Sequence, residues 1–323
     1  METRALGGSG VTVSRVILGC GNFGGVGSAP AFFGQGESEE EAYAILDAAW
    51  DAGITTYDTA DAYGGGRSET WLGRWAARGE RSLQLSTKVF HSVEGDPADH
   101  GLAPDRIRRQ LEGSLQRLGT SSVDMYLVHE PDPNAPLEQT LRALDELVRE
   151  GLVGTIGASN VDRVYLEEAR AISERDGLVR FEWVQNSYSL LDREAETGVL
   201  PFCAEHGIGF TPFSPLAGGW LTGKYRRGQP HPVGSRMTLR PEPYEHLRAD
   251  AVYDGLEALA AAAEERGVHM STLATAWVLS HPQVTGIVCG PRRPAHLWPS
   301  LRALDVELTA AERDGLASLF PGQ

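Results

Sequence analysis

Cysteine is scarce. The 323 residues include three, Cys20, Cys203 and Cys289, odd in number and too far apart for a disulfide framework or a metal-ligand set. Each lies in an apolar stretch, so each is expected to be a small buried residue in a reducing compartment. No apolar run approaches the ~18 residues that read as a membrane-crossing helix. The opening METRALGGSG lacks the apolar segment of a secretory signal, so a cytoplasmic location is the expectation. Positive charge is also short: 29 Lys and Arg against 44 Asp and Glu leave a net charge of −15. Such a surface repels nucleic acid and anionic lipid, which removes both from the expected partners. Low-complexity tracts and linkers are absent.

What is present is alternation. Short apolar runs at 15–22, 54–58, 83–89, 123–129, 153–159, 181–188, 208–214 and 285–290 read as strands. Amphipathic runs separate them. The first opens at Ser38 with Glu41 three residues on, a capping box, and stops at Gly53. Others cover 68–78, 104–119 with Pro104 in the first turn, 137–151, and a stretch near 161–175. The run 194–207 is expected to break near Gly198 and Pro201. Helices follow at 249–266 and 271–280, then 294–304 interrupted by Pro299, and a last one capped by Thr309 and Glu312. Eight strand–helix units predict a parallel sheet closed into a (β/α)8 TIM barrel, one domain spanning 1–323. An open doubly wound sheet is the competing fold. Gly19, Gly21 and Gly24 fit its glycine fingerprint, but no capped helix begins there. The segment before residue 15 is expected to form a β-hairpin that plugs one end of the barrel.

In such a barrel, side chains at the C-terminal strand ends meet in one cleft. Those ends carry Asp58 with Tyr63, Lys88, His129, Ser159 with Asn160, Gln185 with Asn186, Phe213 with Ser214, and Gly290 leading into Arg292. Four ionisable groups at three consecutive strand ends point to chemistry rather than to solvation of loops. A free phenol is a poor acid at neutral pH. An ammonium ~4 Å away, at an effective dielectric of ~20, favours the phenolate by ~4 kcal/mol, about three pKa units before burial opposes it. Asp58 would keep Lys88 charged and aimed. His129 would orient a substrate oxygen, and Tyr63 would donate to a carbonyl oxygen. The hydride must come from a cofactor such as a nicotinamide. Asp61 is expected to be a turn residue.

One long irregular stretch, 215–248, breaks the pattern. From Lys224 to Arg248 it carries six Lys and Arg against two acids, a local reversal of sign that invites an anion. Phe23, Phe32, Phe33 and Trp220 lie in rim loops and are candidates to line an apolar substrate pocket.

The blocks GITTYDTADAYGGGRSE, LSTKV, VDMYLVHEPD, VGTIGASN, VQNSYSLLDR, TPFSPLAGGWLTGKY and VCGPRRPAHL occur in this order. Together they resemble the aldo-keto reductases over nearly the whole chain. That resemblance implies Tyr63 as general acid, Lys88 and Asp58 as its tuners, and His129 as the orienting group. It implies a nicotinamide carboxamide held by Ser159, Asn160 and Gln185, with Phe213 stacked on the ring where tyrosine is common. Leu216, Gly218 and Lys224 would serve the pyrophosphate, and Ser214 and Gly290 are further cofactor-binding positions. Arg292 and His296 match positions near the adenosine 2′-phosphate, which favours NADPH over NADH. Pro299 and Ser300 stand where many relatives have Glu-Asn against the adenine. The expectation is reduction of a small-molecule aldehyde or ketone, with no metal required and the oligomeric state open. Two rivals are a Schiff-base aldolase acting through Lys88 and a non-catalytic NADPH-sensing subunit of the kind some relatives provide to ion channels.

Overall fold

The computed structural model describes residues 1–322. Two short strands, β1 (Thr3–Ala5) and β2 (Thr12–Ser14), pair antiparallel with Thr3 opposite Ser14. Eight further strands follow: β3 (Val16–Gly19), β4 (Thr56–Asp58), β5 (Gln84–Val89), β6 (Val123–Val128), β7 (Val153–Ser159), β8 (Trp183–Gln185), β9 (Gly209–Phe210) and β10 (Ile287–Cys289). They form one parallel sheet in the order β10-β3-β4-β5-β6-β7-β8-β9. Its two outer strands meet: Thr285 N donates to Phe210 O (2.8 Å) and Val288 N to Pro212 O (2.8 Å). Irregular bonds thus close the ring where a regular ladder is missing.

The helices are α1 (Glu39–Asp51), α2 (Arg67–Arg78), α3 (Pro104–Leu118), α4 (Leu137–Arg149), α5 (Arg163–Asp176) and α6 (Val199–His206). They continue with α7 (Arg236–Leu239), α8 (Asp250–Glu265), α9 (Met270–Leu279), α10 (Trp298–Arg302) and α11 (Ala310–Ala317). Both capping boxes form as the sequence predicts, Ser38 with Glu41 and Thr309 with Glu312. Two expectations are corrected. Gly198 does separate a 3-10 turn from α6, but Pro201 lies inside the first turn of α6, where its missing N–H costs nothing. Likewise Pro299 sits in the first turn of α10 instead of interrupting a longer helix. No helix of the described residues is long and apolar enough to cross a membrane.

Strand alternation sorts the side chains. Tyr57, Tyr126, Val128, Ile156 and Val184 pack outward with the helices in the larger core. Ile17, Met125, Leu127, Trp183 and Val288 form a separate inner cluster, closed by Leu6 and Val13 from the hairpin. The hairpin is therefore a plug, and Phe213 touches the same cluster. The inward parity that buries Met125 and Leu127 continues to His129. On β5 and β4 it gives Ser86 with Lys88 and Thr56 with Asp58. The Trp183 indole lies directly across Gly157, and an added Cβ would collide with its Nε1.

Asp61 is a turn residue, as expected, but a fully buried one. Its Oδ1 accepts from Ala62 N (2.7 Å), and Oδ2 has no partner. Burial, reinforced by the buried Glu69, pushes its pKa up to about 8; Arg106 and Arg117 pull the other way. Glu69 itself accepts from Thr87 Oγ1 (2.5 Å) and Arg117 Nε (2.7 Å).

Two outcomes are expected. Gly157→Ala overpacks the barrel interior and costs about 1–3 kcal/mol, read as a lower midpoint in urea unfolding. For Asp61 the folded state holds its proton more tightly than the unfolded chain. Its contribution is present at low pH and is lost as pH rises from ~4 to about 8. Asp61→Asn removes that loss, so the gap between variant and wild-type stability shifts in the variant's favour across this window. Chemical denaturation at a series of pH values checks it.

Candidate active site

The turn after β4 carries the tyrosine. Three consecutive glycines, Gly64, Gly65 and Gly66, have φ of 60°, 68° and 81°. A Cβ on Gly64 would strike the backbone carbonyl of Phe23. This reversal lays the Tyr63 ring on Gly21, with ring carbons 3.5 Å from where a Cβ would sit. Thr59 and Ser68 hydroxyls bond each other (2.8 Å), and Ser68 Oγ donates to Cys20 O (3.0 Å), which ties the turn to the end of β3.

Lys88 is 1 % exposed. Its ammonium donates to Asp58 Oδ2 (2.6 Å), Thr59 O (2.8 Å) and Tyr63 Oη (3.4 Å). All three protons have acceptors. Asp58, 3 % exposed, also accepts from Ser86 Oγ (2.8 Å) and Gln185 Nε2 (3.1 Å) through Oδ1. Both Asp58 oxygens therefore have donors, as a buried carboxyl group requires. Burial works against the Lys88 charge, but Asp58 and Tyr63 outweigh it and raise the lysine pKa. The expected balance at Tyr63 is corrected here. Burial outweighs the ammonium, so the phenol pKa is raised and the proton is held. Lys88 offsets that cost without inverting it.

The His129 ring meets the Tyr63 ring edge-on, centroids 5.6 Å apart. Burial, then Lys88 and His91, drive its pKa well down, so it is neutral. Its Nδ1 is buried without a partner, which leaves Nε2 as the nitrogen available to a ligand. Around this group, Asn160 Nδ2 donates to His129 O (2.9 Å), and Ser159 Oγ donates to Gln185 O (2.6 Å). Asn160 and Ser214 both have φ of 55°. Asparagine tolerates this conformation; serine there stores strain of the kind that gathers at functional sites.

The remaining predicted residues divide. Phe213, half-buried, packs against the inner cluster. Leu216 packs at the edge of the larger core, and Gly218 lies against the Tyr244 ring. Lys224 Nζ rests 5.0 Å over the Tyr225 ring. Gly290 is exposed. Arg292 N lies 3.3 Å from His296 Nδ1, while its guanidinium binds Glu37 Oε1 (2.6 Å) and Gly234 O (2.6 Å). Ser300 is buried with its hydroxyl on Cys289 Sγ (3.4 Å), and the three cysteines are buried and free. Two substrate candidates are corrected. Phe23 is 1 % exposed and Trp220 0 %, both core residues, the latter packed between Tyr225 and Tyr253. Phe32 and Phe33 stay half-buried at the rim, with Arg240 over the Phe32 ring.

Sequence reasoning missed Ser86, although its parity with Lys88 was a usable signal. It gave no role to Arg236, which donates to Asn22 Oδ1 (2.8 Å). Burial, Arg292 and Arg236 lower the Lys224 pKa; burial, Arg292 and Arg240 lower that of Arg236. Three cations thus crowd one another, with Glu37 paired to one of them. An anionic group such as a dinucleotide phosphate fits this crowding.

The arrangement can hold a proton on Tyr63 Oη beside a charged lysine and a neutral histidine, with cations nearby for a phosphorylated ligand. Comparison with known proteins agrees in kind. The profile of the aldo/keto reductase family matches residues 15–319. An uncharacterized oxidoreductase of Bacillus subtilis is 35% identical over 334 residues, covering 100% of this chain and 97% of the relative. A probable voltage-gated potassium channel β subunit of Oryza sativa is 34% identical, covering 95% of this chain and 92% of its own. The versiconal hemiacetal acetate reductase of Aspergillus parasiticus is 31% identical, covering 97% and 95%. Members of this family generally use a reduced nicotinamide dinucleotide. With its barrel, its plug and its strand-end polar groups accounted for, the chain belongs to the aldo/keto reductase family and is an oxidoreductase of that family.

Proposed function

We propose that the chain acts as one domain, in the cytoplasm, to reduce an aldehyde or ketone to the alcohol with NADPH. The observation that carries this reading is the buried chain Asp58–Lys88–Tyr63, with 2.6 and 3.4 Å links, ending at a protonated phenol. When bound, the dinucleotide supplies the hydride. Tyr63 Oη gives its proton to the carbonyl oxygen as negative charge develops there, and Lys88 stabilises the phenolate left behind. Asp58, fixed by Ser86 and Gln185, keeps the ammonium charged throughout. His129, neutral, donates a hydrogen bond that aims the carbonyl oxygen.

Ser159, Asn160 and Gln185 would hold the carboxamide of the nicotinamide, and Phe213 would stack on its ring. Ser214, Leu216, Gly218 and Lys224 would line the pyrophosphate beside Gly290. Arg292, Arg236 and His296 would take the 2′-phosphate, for which Arg292 must exchange Glu37 as its partner. The substrate would then enter past Phe32 and Phe33.

A Schiff-base aldolase is disfavoured because Lys88 keeps its proton and has three acceptors. The likeness to a probable channel β subunit favours one other reading, a cofactor-sensing role without turnover.

For Tyr63→Phe the expected loss is ~100-fold or more in single-turnover NADPH oxidation across a panel of aldehydes, ketones and keto-sugars, with NADPH affinity retained. Near-normal turnover in that variant would remove Tyr63 as the acid. Wild-type protein that binds NADPH and turns over no carbonyl would favour the sensing role. Arg292→Ala is expected to weaken NADPH about 10-fold or more while changing NADH little, read by fluorescence titration.

A further inference from the structure

A row of polar rings leads outward from the reacting centre. His129 meets Tyr63, and the next ring, His91, stands edge-on to His129 with centroids 4.8 Å apart. His91 lies just past the end of β5, which carries Lys88, and Glu130 directly follows His129 at the end of neighbouring β6. Their side chains meet at the mouth, His91 Nε2 3.1 Å from Glu130 Oε1, 28 % and 43 % exposed. Phe90 also packs edge-on against His91, with centroids 5.2 Å apart.

The fold has little need of this pair. A polar contact this exposed adds almost nothing to stability, and an apolar contact would join the two loops as well. What the pair does provide is unspent hydrogen-bonding capacity. Neither Glu130 Oε2 nor His91 Nδ1 has a partner among the described residues. The neighbouring His91 side chain lowers the Glu130 pKa against the effect of burial, so a carboxylate stands one residue from His129.

We infer that His91 and Glu130 form a hydroxyl-reading pair that selects carbonyl substrates bearing a hydroxyl close to the carbonyl carbon. The inference rests on the reductase reading above and narrows its substrate class. A neutral hydroxylated substrate gives Glu130 a donor and His91 either a donor or an acceptor. A bare alkyl substrate leaves both groups facing apolar surface, at the cost of their hydration. A carboxylate-bearing carbonyl compound is repelled by Glu130. The pair is thus a positioning and specificity device, and the proton still comes from Tyr63.

Hydroxyacetone and butanone test this, because they match in size and differ in one hydroxyl. The quantity read is the ratio of their kcat/KM values with NADPH in wild type, Glu130→Gln, His91→Phe and the double variant. Intrinsic reactivity and any general loss divide out of that ratio when proteins are compared. The expected result is a fall of about 10-fold or more in the hydroxyacetone preference for each single variant, with no further fall in the double. A ratio within about twofold of wild type in both single variants would overturn the inference while leaving the reductase reading intact. Wild-type protein that oxidises NADPH with neither ketone, nor with any other carbonyl compound, would overturn both.

Discussion

A charged ammonium buried at 1 % exposure is the constraint around which this barrel is arranged. Taking an isolated ion out of water costs far more than a domain can spare, so Lys88 requires a paired, fully hydrogen-bonded setting. Asp58 supplies the counter-charge, and Ser86 and Gln185 complete Asp58. Those four residues come from β4, β5 and β8. The ring must therefore close for the pair to be satisfied, and the tyrosine turn has to lie over it for the third ammonium proton to find Tyr63. The same arrangement explains why the phenol keeps its proton. Desolvation dominates at Tyr63, and the ammonium lessens the penalty of ionising it when a carbonyl takes the proton away.

Much of this was legible in the chain. Eight alternations of short apolar runs with amphipathic runs gave the barrel, because strand and helix periods differ and several helices carried start or stop residues, such as Ser38 with Glu41, Pro104, and Thr309 with Glu312. Strand ends were less legible. The runs at 181–188 and 208–214 predicted longer strands than β8 and β9 turn out to be. Phe181 is apolar because it packs beyond the sheet, and past β8 and β9 the pairing continues only as an isolated bridge between Ser187 and Phe213; composition alone distinguishes neither from a full ladder. The tetrad was readable because its ionisable groups close three consecutive apolar runs; the strand parity that turns Lys88 inward also assigns Ser86, which that reading passed over.

Burial of loop aromatics was not legible. Phe23 and Trp220 sit in glycine-rich segments that look like rim, yet they fold inward because Tyr225, Tyr253 and the Tyr63 turn offer apolar surface to cover. Nor did the sequence pair Glu37 with Arg292, two residues separated by most of the chain. That contact depends on how the loop after β3 meets the one after β10, which no local pattern encodes. The cation cluster of Lys224, Arg236 and Arg292 is intermediate: a basic loop in an acidic chain was visible, and its convergence on one place was not.

The coupling between Lys88 and Tyr63 can be observed without turnover. Protein labelled with 13C at the tyrosine Cζ reports each phenol, and Tyr63→Phe identifies the resonance of interest. The account predicts that the Tyr63 signal of wild-type protein stays in its protonated position through neutral pH and titrates with a midpoint above that of a free tyrosine, about 10. It predicts a further upward shift when Asp58→Asn and Lys88→Met remove the ion pair together. A Tyr63 resonance that titrates below pH 10 in wild type, or is indifferent to loss of the ammonium, would contradict it.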